Sequence, residues 1–256
     1  YLDAERFATF RVEHGDLVVG ADSHTTTFGG LGAFGTGVGS TDLGTALATG
    51  DLWFRVPETM RFVVDGDLPD GVYAKDLVLR FIGDVGFSGA TYRAVEFAGS
   101  TVASLPIHER LVLANMVIEM GGKAGTVEPD DRTTTFLQRQ SGESVPLDRS
   151  LLPDGDADYH SVHEYDAAAV APQVSTPDNP ENAVDVTAVE GTPVDQLFVG
   201  TCTNGRYEDI RVVADVLEGE TLAPGTRMVV VPASKAVYRK ALETGALETL
   251  VDAGAV

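Results

Sequence analysis

A chain of 256 residues, 43% of them hydrophobic, has enough material for one large globular domain or two modest ones, and is too apolar to be disordered. Acidic residues outnumber basic ones 39 to 18, a net charge of −21, which argues against nucleic acid or an anionic membrane as a partner. No apolar run reaches the roughly 18 residues of a membrane span, the opening YLDAERFATFRVEHG does not read as a signal peptide, and a single cysteine allows no internal disulfide, which makes the cytoplasm the default location.

In chain order, residues 1–57 open with a short apolar strand, Leu17–Gly20, followed by ADSHTTT and the glycine-dense GGLGAFGTGVGS. A helix is predicted from Thr41 through Leu52, before Pro57. Residues 58–140 begin with the alternating strand MRFVVDG and a turn at LPDG. The helix AKDLVLRFIGDVG, the strand TYRAVEFAG and the most apolar helix, HERLVLANMVIEMGG, follow, the last stopped by Gly121-Gly122. Residues 141–192 are rich in Asp, Pro, Ser and Asn and read as a linker with one strand, VHEYD. Residues 193–256 show a βαβα rhythm: QLFVG, RYEDIRVVADVLEG, TRMVVVPAS and KAVYRKALETG. Strands alternating with helices imply an α/β fold with parallel sheets, here in three α/β portions joined by the linker. The chain stops at DAGAV, where another strand is expected, so it reads as a fragment truncated at both ends.

Four local features could carry chemistry. Gly30–Gly35 matches GxGxxG, but about ten residues separate it from the preceding strand and the acidic position 20 beyond, Asp51, lies in helix-like sequence. That spacing fails the dinucleotide fingerprint, and close backbone packing accounts better for the glycines. Asp22, Ser23 and His24 follow a strand, where α/β proteins place their chemistry. Helix capping explains the Asp and Ser but not the His, and a carboxylate beside an imidazole supports acid–base work. Asn115 and Glu119 are the polar pair in LVLANMVIEM, four apart and therefore on one helix face, either turned to water or turned to a site. Cys202, the only thiol, lies in a strand-to-helix turn with Asn204 and Gly205. A lone cysteine is most often a small buried hydrophobe, yet this position would favour a thiolate nucleophile or metal ligand.

Together GADSHTTTFGGLGAFGTGVGSTD, ANMVIEMGGKAG and FVGTCTNGRYEDIR, with ATGDLWFRVPETMRF and VVVPASKAVY, resemble the aconitase superfamily over essentially the whole chain. The resemblance is nearest to the archaeal-type large subunits of 3-isopropylmalate dehydratase and homoaconitase. It implies a hydro-lyase that moves water across a small hydroxy di- or tricarboxylic acid, 3-isopropylmalate in leucine biosynthesis, with homoaconitase or aconitase activity as the alternative. It implies a [4Fe–4S] cluster with Cys202 as one metal ligand, an uncoordinated iron corner serving as Lewis acid. It makes His24, Asp22 and Glu119 catalytic and Ser23, Asn115 and Asn204 substrate-binding. It further implies a Glu119–His24 contact that orients the imidazole to give a proton to the leaving hydroxyl.

The family's CxxC pair, its upstream Asp-His region and its substrate-binding arginines have no counterpart in these 256 residues, and its deprotonating serine belongs to a swivelling domain, a separate small subunit in two-subunit members. The expectation is therefore that this chain alone assembles no cluster and is inactive. A non-catalytic anion-binding paralogue is the rival from another class. The scattered acidic residues read as a solvated surface suited to a salty, halophilic cytoplasm, where the Debye length is about 3 Å at 1 M salt.

Overall fold

The structure, a computed structural model, describes residues 12–256. The start of the expected first portion, residues 1–11, lies outside them. The chain divides into two compact units, one of Arg11–Glu190 and one that includes Gly191–Val256.

In the larger unit β1 (Leu17–Gly20) pairs in parallel with β2 (Phe34–Gly37), Leu17 opposite Phe34. The glycine-dense stretch is thus partly a strand, which alternation does not reveal because its side chains are nearly absent. Between the strands Ser23–Leu31 form a 3₁₀ helix, and after them α1 (Ser40–Thr49) ends at Gly50 in the left-handed conformation. The glycines serve close packing, as expected. A Cβ on Gly29 would stand 1.5 Å from the Gly125 carbonyl oxygen, and one on Gly35 would stand 2.2 Å from that of Thr25.

The central sheet runs β5 (Ala124–Val127), β4 (Ala94–Ala98), β3 (Thr59–Asp65), β6 (Ser161–Asp166), every neighbouring pair parallel. Along β3 the alternation puts Met60, Phe62 and Val64 into the core. The apolar face of α2 (Ala74–Val85) meets them with Leu77, Val78, Phe81 and Ile82. Phe62 and Phe81 lie 4.9 Å apart between ring centroids, within the range of favourable aromatic pairs. The short α3 (Ser100–Ser104) leads into α4 (Ile107–Met116), and α5 (Asp131–Ser141) is capped by Asp130, whose side chain accepts from the amides of Arg132 and Thr133. Asp130 also holds the buried Arg110, 2.6 Å away, while Arg110 donates to the carbonyls of Leu105 and Ala103.

Two features differ from the sequence expectation. Residues 1–57 and 58–140 were expected as separate domains, but their described parts share one interior: Thr26 Oγ1 donates to the Asn115 carbonyl at 3.2 Å, and Gly29 abuts Gly125. Residues 141–192, expected as a linker, supply β6 to the central sheet and the antiparallel pair β7 (Gln173–Ser175) and β8 (Ala183–Asp185), which is tied to α2 where the Gln173 amide donates to Asp76 Oδ1 at 2.7 Å. β6 is the expected strand VHEYD, whereas turn-rich composition hides the three-residue strands β7 and β8.

The smaller unit follows the expected βαβα rhythm: β9 (Gln196–Val199), α6 (Tyr207–Leu217), β10 (Arg227–Val230), α7 (Lys235–Glu243). A further helix, α8 (Ala246–Asp252), follows Gly245. β9 and β10 are parallel, over a core of Ile210, Ala214, Met228, Ala241 and Leu250. Val256 donates to the Met228 carbonyl and accepts from the Val230 amide, each at 2.9 Å, in the manner of a further strand beside β10. No helix among the described residues is long and apolar enough to cross a membrane.

Candidate active site

The loop after β1 carries the three residues singled out in the sequence. Asp22 caps the 3₁₀ helix, its Oδ1 accepting from the His24 amide at 2.8 Å, so the capping role is real. The same Oδ1 stands 3.7 Å from His24 Nδ1, and Ser23 Oγ lies 3.2 Å from that nitrogen. On its other side the ring meets Glu119: His24 Nε2 and Glu119 Oε1 are 3.4 Å apart, with both side chains about three-quarters buried. The imidazole is therefore held from both edges. With a proton on Nε2 facing the carboxylate, Nδ1 is left to accept from Ser23.

Asn115 and Glu119 do not share one regular helix. α4 ends at Met116, and Val117–Met120 tighten into a 3₁₀ turn closed by Gly121 at φ 82°. Asn115, fully buried, donates through Nδ2 to Thr27 Oγ1 at 2.7 Å, whereas Glu119 reaches His24. Both thus grip the same 3₁₀ helix, one through the Thr27 hydroxyl and one through the His24 imidazole. Asn115 thus braces that helix through Nδ2.

Beside Ser23 opens a cavity of about 440 Å³, lined among others by Val38, Asp42, Trp53, Tyr92 and Lys123. Thr27 and Lys123 are the residues of this region that sequence reasoning left aside. Thr27 is masked by its threonine run. Lys123 carries a visible signal, a lone cation directly after a helix stop in MGGKAG.

In the smaller unit Cys202 is exposed, in the turn between β9 and α6. Thr201 holds φ at 83°, an unfavourable conformation for a β-branched residue and of the kind found at functional loops. Asp209 organises the turn, its carboxylate accepting from Asn204 Nδ2 and from the amides of Gly205 and Arg206 at 2.8–2.9 Å. Asn204 Oδ1 is buried without a hydrogen-bond partner among the described residues. The acceptor, rather than the amide donor, is therefore the unengaged end of this side chain.

Iron–sulfur clusters take several thiolates, and the sequence has one. Among the described residues no group of three or more His, Cys, Asp and Glu side chains could hold a metal ion. The donors of this chain fit one leg of a cluster, not a complete set.

The sequence profile of the aconitase family (aconitate hydratase) matches residues 11–191 and 187–256. The chain belongs to the aconitase family. Family membership accounts for the order of strand, DSH loop, α4 and cysteine turn along the chain. Its relatives include proteins described as probable 3-isopropylmalate dehydratase large subunits from Methanosarcina mazei, 52% identical over 96% of this chain and 58% of that protein, and from Methanothermobacter thermautotrophicus, 53% identical over 94% and 57%. A 3-isopropylmalate dehydratase large subunit from Hydrogenobaculum sp. is 48% identical over 94% of this chain and 56% of that protein. The chain thus spans less than two thirds of the length of these family members.

Proposed function

We propose that this chain is part of the large subunit of a hydro-lyase that interconverts 2- and 3-isopropylmalate in leucine biosynthesis, working with a small subunit that brings a swivelling domain. The observation that carries this reading is the pair formed at 3.4 Å by His24 Nε2, in the segment after a parallel strand, and Glu119 Oε1, in the 3₁₀ turn after α4. The names of the relatives support the substrate.

In this reading the imidazole is the acid. The acid is the imidazolium form of the ring: Glu119 holds the Nε2 proton, and Nδ1, on the side of Ser23 and the cavity, carries the second proton and presents it. When the C–O bond of the hydroxy acid breaks, its electron pair leaves on oxygen and the His24 proton completes a water molecule. The proton on the adjacent carbon passes to a base outside this chain, the small subunit's serine. A [4Fe–4S] cluster in the complete enzyme, with Cys202 as one ligand, would supply Lewis acidity for the departing hydroxide. Asp22 holds the loop that carries His24, Ser23 faces the substrate, and Asn204 Oδ1 suits a donor such as a substrate hydroxyl rather than a carboxylate. The acidic surface fits a salt-rich cytoplasm.

The test is to assemble the complete large and small subunits, reconstitute them anaerobically with iron and sulfide, and follow conversion of 3-isopropylmalate through its enoic intermediate. Turnover that is absent in Cys202→Ser and His24→Asn supports the reading. Isopropylmalate binding without turnover in the wild-type assembly would replace it with an anion-binding role, and preference for citrate or homoaconitate would move the substrate within the family.

A further inference from the structure

Lys123 is an anomaly in so acidic a chain. Of the described residues lining the cavity beside Ser23 it is the sole cation. No carboxylate among the described residues pairs with it. Its ammonium makes one long hydrogen bond, 3.5 Å to the Gly37 carbonyl, and stands 5.5 Å from the centre of the Tyr92 ring. A lysine has three donors, so most of its capacity is unspent. The backbone fixes it firmly, since its amide donates to the Arg93 carbonyl at 2.8 Å at the approach to β5.

The surroundings say what an ion there would have to be. Asp22 and Glu119 flank His24, and Asp42, the cavity's one carboxylate, lies in the first turn of α1, where it complements the helix dipole. A carboxylate ligand entering this region meets net negative charge unless a cation offsets it, and Lys123 is placed to do so. The lining also includes Ser23, the backbone of Gly37 and Gly39, and an apolar part of Val38, Leu52, Phe54 and Ile118, with Trp53 85% exposed. The apolar part of this lining matches an alkyl group.

We infer that Lys123 anchors a carboxylate of the hydroxy acid in this cavity, with the acid's alkyl part against Trp53 and Ile118. The inference rests on the hydro-lyase reading for the identity of the acid, but its test is independent of turnover. Trp53 is the single tryptophan of the sequence, so its emission reports filling of the cavity directly.

The experiment titrates this chain with 2-isopropylsuccinate, a hydroxyl-free diacid that cannot be dehydrated, and with its diamide. The expected result is a saturable change in Trp53 emission, at least about tenfold tighter for the diacid than for the diamide. Lys123→Met should weaken diacid binding by about tenfold or more, and Lys123→Arg should keep it within about threefold. In the assembled enzyme Lys123→Met should raise KM by about tenfold with kcat little changed. Equal binding of diacid and diamide by the wild-type chain, or undiminished diacid binding by Lys123→Met, would overturn the inference, as would a loss confined to kcat. A wild-type assembly that binds the diacid through Lys123 but turns nothing over would refute the hydro-lyase reading and leave the anion site standing.

Discussion

His24 and Glu119 meet at 3.4 Å, Nε2 to Oε1, although one follows the first strand and the other lies in a 3₁₀ turn beyond α4. The proximity is produced by packing of one 3₁₀ helix on another helical segment, secured by Asn115 on Thr27 and by the Gly29–Gly125 approach. In the assembled enzyme Glu119→Gln should lower kcat by about 10²-fold with a smaller change in KM, because a carboxamide no longer holds the imidazole by charge. Steady-state kinetics on purified variant complexes measures this. Unchanged kcat would show that Glu119 only packs.

Arg110 is 1% exposed and its charge is met by Asp130. Burial raises the Asp130 pKa, but hydrogen bonds from Arg110, Thr133 and Arg132 and the guanidinium charge outweigh it, leaving the carboxyl below its usual value. A depressed carboxylate contributes stability that is present above the unfolded-state pKa and lost as pH falls through the folded one. Asp130→Ala should cost about 2 kcal/mol, below the usual figure for a broken buried pair because Asp130 is partly exposed and Arg110 keeps two carbonyl partners. It should also flatten the loss of stability at acid pH. Urea unfolding across that range is the measurement.

Glu96 behaves in the opposite sense. Desolvation raises its pKa, against the lowering influence of Arg61 and of the Tyr159 hydroxyl, which donates to it at 3.1 Å. A raised acid binds its proton more tightly folded than unfolded, so between the usual glutamate value and the raised one stability should increase as pH falls. Glu96→Gln should remove that slope while leaving the Asp130 contribution at lower pH. A slope that survives the substitution would assign the effect to another group.

Gly29 and Gly44 predict contrasting outcomes for the same chemical change. Gly29→Ala forces a Cβ onto a backbone carbonyl that cannot retreat, and should destabilise the larger unit by about 3 kcal/mol or more. Gly44 sits inside α1 with nothing within 4 Å, so Gly44→Ala should stabilise by about 0.5–1 kcal/mol. Thermal melts of the two variants separate packing glycines from merely permissive ones.

The charge imbalance predicts salt dependence. Self-repulsion among 39 acidic residues should be screened at high ionic strength, raising the melting temperature by several degrees between about 0.1 M and about 2 M KCl. Greater stability in the dilute buffer would contradict adaptation to a salty cytoplasm.

Several elements are legible in the sequence alone. The strand at Leu17–Gly20, the alternating β3, the amphipathic α2 and the βαβα run after residue 193 announce themselves through apolar period and glycine stops. Asp22, Ser23, His24, Asn115, Glu119 and Cys202 were identifiable as polar or thiol residues in otherwise apolar or turn contexts. β2 was not, because FGTG carries too few side chains to show a period, and β7 and β8 were obscured by the turn residues around them, although β6 was legible as VHEYD.

The sequence by itself determined the class of fold, the family and the residue types available for chemistry, because periodicity and motif spacing are local properties of the chain. Tertiary structure alone decided what each polar group is used for. Asn115 became a brace for the 3₁₀ helix, Glu119 turned to the imidazole where α4 tightens, and Lys123 was left beside a cavity without a carboxylate partner among the described residues. Those outcomes depend on which segments remote in sequence pack together, and the energy of a charge or hydrogen bond is set by the neighbours that packing supplies.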